Sequence, residues 1–339
     1  MKPLRILALM HDYLVPPEWS EGLDVVNVPW KMEFDVVSHL QDMGHDVRKV
    51  GVKDDLGVVR QAISEFAPAI VFNLMESFAE IGVFDQHVVS YLELMKIPYT
   101  GCNPRGLMLS RDKALAKTLF AYHRIPAPEF TVVRMGRVPR PQKRRPFPLI
   151  VKSLTQEASI GISQASIVED EAALRERVRF IHESIGTDAI AERYIDGREL
   201  YVGILGNERL AALPVWEMNF AQMPGRAHRI ASERVKWNDA YREKYGIMTG
   251  PADLPADLAH RVQHVCKRVF RTLDLSGYAR IDLRLDAEGR VYVLEANPNP
   301  QLAYGEDFAE AAEHAGLSYE SLLQRILALG LRWRPGVAG

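Results

Sequence analysis

Three oxygen-bearing side chains stand close together near the end of the chain, in the string GYARIDLRLDAEGRVYVLEANPNP. Asp282 lies in one apolar run, and Glu295 and Asn297 close a second. The Asp-Ala-Glu-Gly between the runs is a tight-turn sequence, so the string predicts a β-hairpin. Antiparallel pairing across 286–289 sets residues whose numbers sum to about 575 opposite each other, which puts 282 against 293. Glu295, two further along, then shares that face with Asp282 and Asn297. Three oxygen donors converging on one face suit Mg²⁺, a hard ion that takes carboxylates together with phosphate oxygens. Arg280 shares the face and can neutralise charge on a transferring phosphate or a tetrahedral oxyanion. An acidic hairpin by itself is commonly a solvated face. Here the acids interrupt strands that are otherwise apolar, where an unpaired carboxylate is costly.

The complementary groups lie upstream. Lys113 opens a helical pattern in SRDKALAKTLF, and Lys152 ends an apolar strand in PLIVKSL. A lysine at a strand end beside a small-residue loop is placed to reach phosphates. That loop, QEASIGIS, offers Ser159 and backbone N–H groups. In AERYIDGREL, Glu192 ends a strand and can accept from an adenine amino group. Ile195 offers apolar contact and a backbone N–H, and Glu199 can meet ribose hydroxyls. A single lysine or acid of this kind is more often a solvated surface group.

The elements that must position these groups follow from hydrophobic spacing. Strands are expected at Ile6–Leu9, Val47–Val52 and Ala69–Asn73, alternating with helices at Glu33–Met43, Leu56–Phe66 and Val83–Met95. This order predicts a parallel sheet with helices on its faces. A second, α+β unit follows, with helices Asp112–Tyr122 and Glu169–Ser184 and strands Glu129–Val133, Leu149–Lys152 and Ala189–Tyr194. A third begins with strands Leu200–Leu205 and Arg209–Leu213. Its polar segment Trp216–Pro251 has no clear period and is too long for a passive loop. Helices Leu254–Leu273 and Leu317–Leu329 flank the acidic hairpin. The fold class is therefore α/β and α+β, with units at 1–104, 105–195 and 196–335.

Composition narrows the function. With 47% hydrophobic and 25% charged residues over 339 positions, the chain reads as an ordinary soluble protein of several units. The formal net charge of −2 argues against nucleic acid as a partner, and the basic run 137–145 reads as a solvated loop. No apolar run has the length of a membrane span or a signal h-region. With only two cysteines, Cys102 and Cys266, the expected location is the reducing cytoplasm. His11, Asp12 and Tyr13 follow the first strand, where open α/β sheets place ligand loops.

Taken in order, VFNLMESFAEIGVFDQHVVSYLELMKIPYTG, SRDKALAK, LIVKSLTQEASIGIS, AERYIDGRELYVGILG and RIDLRLDAEGRVYVLEANPNP resemble the ATP-grasp superfamily, and within it the D-alanine–D-alanine ligase branch. The resemblance implies ATP held between two antiparallel sheets, with a parallel α/β domain ahead of them. It implies phosphate contacts from Lys113 and Lys152, adenine contacts from Glu192 and Ile195, and a ribose contact from Glu199. Asp282, Glu295 and Asn297 would hold two Mg²⁺ ions, replaceable by Mn²⁺, and Arg280 would stabilise the transition state. SERVKWNDAY matches the family's flap, with Lys236 as a phosphate contact and Arg234 close by. The implied reaction joins a small-molecule carboxylate to an amine through an acyl phosphate, in a homodimer. A phosphotransferase that stops at the phosphorylated product is the second enzyme reading. A nucleotide-binding regulatory module without turnover is a third, which the full Asp282, Glu295, Asn297 and Arg280 set opposes.

The sequence departs from the family at the substrate end. Pro298, Asn299, Pro300, Gln301 and Leu302 replace a serine-proline-glycine turn, and Glu306 falls near the position of a substrate-binding serine. Met75, Glu76 and Ser77 replace a histidine-glycine, and the segment Tyr13–Trp30 replaces a shorter loop. Glu76, Gln301, Glu306 and Asp307 are thus candidate substrate contacts, and the acids favour an amine-bearing substrate other than D-alanine.

Overall fold

The computed structural model of the protein describes residues 2–18, 25, 27–140, 146–157, 159–220, 222–225 and 227–335. Most of the basic run 137–145 and part of Tyr13–Trp30 lie outside the described residues.

The first sheet is parallel, with order β2–β1–β3, built from β1 (Arg5–His11), β2 (Asp46–Val52) and β3 (Ile70–Asn73). Alternate residues of β1 feed two cores. Ile6, Ala8 and Met10 pack with Met32, Val36 and Leu40 of α1 (Lys31–Asp42), whereas Leu7 and Leu9 pack with Val59 and Ala62 of α2 (Gly57–Phe66) and Val88 and Leu92 of α3 (Asp85–Leu94). A parallel sheet covered on both faces reads as an apolar run, as the sequence of β1 does.

Two helices that meet at a corner come next, α4 (Pro104–Arg111) and α5 (Lys113–Tyr122). Asn103 caps α4 by accepting from the Gly106 amide at 3.0 Å. Asp112 caps α5 by accepting from the amides of Ala114 and Leu115, both at 2.9 Å. Asp112 thereby ends one helix, starts the next, and fixes Lys113 as the first residue of α5.

A four-stranded antiparallel sheet follows, with order β4–β7–β5–β6: β4 (Phe130–Val133), β5 (Leu149–Ser153), β6 (Ile167–Val168) and β7 (Ala189–Arg193). Leu149, Val151, Ala189 and Ala191 bury one face against Leu174 and Val178 of α6 (Glu171–Phe180). Period-two alternation turns Ile150, Lys152 and Glu192 to the opposite face.

The largest sheet has six strands, ordered β11–β10–β8–β12–β13 with β9 on β8. Its members are β8 (Arg198–Leu205), β9 (Ala211–Ala212), β10 (Trp216–Phe220), β11 (Ile247–Pro251), β12 (Tyr278–Leu285) and β13 (Val291–Pro298). Ala279, Ile281 and Leu283 cover Val262, Cys266, Val269 and Phe270 of α9 (Ala256–Thr272). The other face carries Arg280, Asp282 and Arg284. The polar segment 216–251 is not irregular, because β10 and β11 pair antiparallel around α7 (Glu233–Trp237) and α8 (Asp239–Lys244). The helices α10 (Asp307–His314) and α11 (Tyr319–Arg332) end the chain, and α11 returns to pack on α1 and β3.

One register differs from the sequence reading. Asp282 pairs with Glu295, not with Val293, and Leu283 pairs with Val293. A bulge at this point leaves Leu294 as the extra residue. Val293 and Glu295 therefore lie on opposite faces, although they are two apart. Asp282 and Glu295 share a face because they are directly opposed.

Candidate functional site

The Ile150–Lys152–Glu192 face of the four-stranded sheet and the Arg280–Arg284 face of the six-stranded sheet face each other across a cleft. Lys113, Lys152, Ser159, Glu192, Ile195, Glu199, Lys236, Asp282 and Glu295 all line it. Lys236 reaches it from α7, whereas Arg234, close by in sequence, is exposed.

Acids and cations alternate along the cleft and neutralise each other. Glu295 is 3.8 Å from Lys113. Burial would raise the Glu295 carboxyl, but Lys113, Lys152, Lys236 and Arg280 together hold it down to about 2. Asp282, 4% exposed, takes a bidentate pair of hydrogen bonds from Arg280 at 2.8 and 2.9 Å. Burial raises its carboxyl, Arg280 opposes, and the neighbouring Glu295 raises it further. Arg280 stacks on the Tyr201 ring at 4.7 Å and stays charged despite burial because of Asp282. Asn297 sits opposite Arg280 in the ladder, with its amide nitrogen buried and lacking a hydrogen-bond partner.

This donor set fits magnesium. Two carboxylates and an asparagine stand side by side, and a cation between them would offset the charge that burial makes costly. Among the described residues, no three His, Cys, Asp or Glu side chains form a closed cage. An open set of this kind leaves positions for phosphate oxygens, as magnesium sites in phosphoryl-transfer enzymes do.

At the far end Glu192 is fully buried between Lys152 at 3.2 Å and Lys117 at 3.4 Å. Glu199 accepts from Arg284 at 2.7 Å and from the Tyr201 hydroxyl at 3.0 Å. Ile150, Ile195, Ile230 and Leu294 give this end an apolar lining suited to a flat heterocycle. The small-residue loop is tied to the segment before and within α7. The Ser159 hydroxyl donates to the Ala231 carbonyl at 2.7 Å, and the Gly161 amide donates to Glu233 at 3.0 Å. Gln164 and His228 exchange hydrogen bonds at 2.8 and 2.9 Å.

The other sequence candidates stand outside this cleft. Glu76 is exposed at the end of β3, where its amide donates to His11 Nε2 at 3.4 Å. Gln301 and Glu306 are exposed and Asp307 is half-buried. Burial and Asp307 raise the Glu306 carboxyl, while Lys31, Arg242 and Arg280 lower it. The turn before them is fixed from the first domain, since the Asn299 side chain accepts from the Cys102 amide at 2.8 Å. Cys102 and Cys266 are buried, free thiols. No described helix is long and apolar enough to cross a membrane.

Sequence reasoning missed Lys117, Arg284, Leu294, Glu157 and Arg111. Helical spacing was a signal for the first, because Lys117 lies four residues after Lys113 on the same face. Strand alternation was a signal for Arg284, two residues after Asp282. Glu157 pairs with Arg111 at 2.7 Å, and Arg111 also pairs with Asp85, joining the small-residue loop to α3. Nothing local in the sequence marks that contact.

Comparison with known proteins gives the same picture. A family model described as D-ala D-ala ligase C-terminus matches residues 119–328. An uncharacterized protein, y4sG, of Sinorhizobium fredii is 32% identical over 330 residues, covering 94% of this chain and 91% of its own. A D-alanine–D-alanine ligase of Bordetella pertussis is 35% identical over 247 residues, covering 70% of this chain and 71% of its own. Among solved structures, a D-alanine–D-alanine ligase of Bacillus anthracis complexed with ATP superposes with a TM-score of 0.72 at 20% identity, over 97% of this chain and 98% of that one.

Proposed function

The chain belongs to the D-alanine–D-alanine ligase family and is an ATP-dependent carbon–nitrogen ligase with the ATP-grasp fold, and from that premise we propose that its amine substrate is not D-alanine. The observation that carries this reading is the acidic pair Glu306–Asp307 at the start of α10. Electrostatic coupling of Asp307 to Arg280 and of Arg280 to Glu306 supports it. Acids there repel a substrate carboxylate and attract an ammonium group. Glu76 adds a third acid on the other side, at the C-terminal end of the parallel sheet.

The reaction that this geometry supports has two steps. A substrate carboxylate attacks the γ-phosphorus of ATP, ADP leaves, and an acyl phosphate remains. An amine then attacks the acyl carbon, and phosphate leaves. Lys113, Lys152 and Lys236 meet phosphate charge, with Ser159 on the loop that covers it. The Glu192 and Ile195 end takes adenine, and Glu199 takes the ribose. Asp282, Glu295 and Asn297 would hold two magnesium ions, whose chemistry is to neutralise the phosphates during transfer. Arg280, held rigid by Asp282 and Tyr201, is aimed at the negative charge that develops on the substrate oxygen. The tied loop and α7 exclude water, which would otherwise hydrolyse the acyl phosphate.

The test is mass spectrometry of products formed from ATP, magnesium and a broad library of carboxylates and amines. The expected result is a product containing an amine other than D-alanine, together with a raised Michaelis constant for that amine in Glu306→Gln. D-Alanyl-D-alanine as the preferred product, with Glu306→Gln unchanged, would overturn the substrate proposal.

A further inference from the structure

Lys117 has no place in the chemistry just described, yet it is one of the most buried cations in the protein, at 1% exposure. Its ammonium lies 3.4 Å from Glu192 and donates to the Leu294 carbonyl at 2.9 Å. Both contacts matter to the cleft. Glu192 sits at its adenine end, and Leu294 is the extra residue of the bulge that brings Glu295 opposite Asp282. Among the described residues Glu192 has two close cations, Lys117 and Lys152, and neither of its oxygens has a well-aligned hydrogen bond.

The two cations differ in freedom. Lys152 lines the open cleft, where phosphate would draw it, whereas Lys117 is closed off behind Glu192 and β13. When Lys152 turns to a nucleotide phosphate, Glu192 keeps one partner, Lys117. A fully buried carboxylate left without a partner is strongly disfavoured.

We infer that Lys117 is a positioning residue: it serves as the permanent counterion of Glu192, releases Lys152 to the nucleotide, and through the Leu294 carbonyl holds the bulge that sets the metal-binding face. This rests on the nucleotide site of the reading above. The charged groups coupled to the pair are Lys113 from α5, Lys152 from β5 and Glu295 from β13. Burial lowers the Lys117 ammonium to about 8 and Glu192 opposes that fall, so Lys117 remains a cation at neutral pH.

The test measures binding of ADP with magnesium to the full chain by calorimetry, beside steady-state kinetics. Lys117→Met should weaken ADP binding by about tenfold or more, because Glu192 then competes with the nucleotide for Lys152. The Michaelis constant for ATP should rise more than kcat falls. Lys117→Arg should stay close to wild type. The deciding comparison is Lys117→Arg with Lys117→Met: restoring a cation that balances Glu192 should recover most of the affinity that Lys117→Met loses. Unchanged binding in Lys117→Met, or Lys117→Arg as weak as Lys117→Met, overturns the inference. Should Lys117→Met fail to fold by circular dichroism, Lys117→Arg is still expected to fold and bind, and its failure overturns the inference equally. A wild-type chain that binds no ADP would instead overturn the nucleotide site itself.

Discussion

Glu33 shows how a single buried acid shapes stability. It is 1% exposed in the first turn of α1, and one carboxyl oxygen has no hydrogen-bond partner. Burial raises it from 4.5 to about 7, its own backbone amide opposes, and Glu76 adds to the rise. A carboxyl raised in the folded state holds its proton there over a range where the unfolded chain has released it. Stability is therefore full below the unfolded value, falls as pH rises toward 7, and levels off above it. The loss is on the order of 3 kcal/mol. Glu33→Gln should remove it, so urea unfolding should find the variant more stable than wild type by 2–3 kcal/mol more at about pH 8 than at about pH 5. An equal difference at both pH values would refute this. At this scale the sequence is informative about chemical type. Asp282, Glu295 and Asn297 stand out because polar groups in apolar strands need a reason. Lys117 does not stand out, since a helical lysine looks the same whether it is solvated or sealed behind Glu192.

At the scale of elements, Asp112 joins two helices and sets Lys113 at the first turn of α5. Asp112→Ala should cost about 1 kcal/mol of stability, the usual value of such a cap. It should also raise the Michaelis constant for ATP several-fold, because Lys113 loses its fixed start, with little change in kcat. A lower melting temperature with an unchanged Michaelis constant would show that the cap supports only the helix. Helices and strands with clean periods were legible, as α2, α5 and α9 show. The hairpin was legible as a hairpin but not in register, because a bulge leaves no mark in alternation. Face sharing was inferred correctly from an incorrect pairing: counting by twos from Val293 gives the wrong face, and the extra Leu294 reverses it. The segment 216–251 was opaque for another reason. Its strands pair at the edge of the sheet and its helices span only 5 and 6 residues, too short to show a period.

At the scale of the molecule, hydrogen bonds tie two units together beside the cleft. The Gln164–His228 exchange and the Glu233–Gly161 bond join the loop after β5 to residues 228–233. On the proposed function, nucleotide enters and leaves by breaking them. Gln164→Ala should therefore speed both association and release of ADP, by similar factors, with a smaller change in affinity. Stopped-flow displacement measures this, and an unchanged release rate would mean that the ties do not limit exchange. The parallel first sheet followed from element order, and the resemblance implied the two antiparallel sheets with ATP between them. The contacts between units, such as Arg111 with Asp85 or Asn299 with the Cys102 amide, join residues distant in sequence and leave no local pattern.

The return of α11 has a consequence for how the chain is made. Leu322, Leu323, Ile326 and Leu327 belong to the same core as Ile6, Ala8 and Met10. During synthesis α1 can cover part of this face early, but the part that α11 covers stays open until residues 319–332 have been made. The first sheet therefore completes its packing only after most of the chain that follows it has been translated.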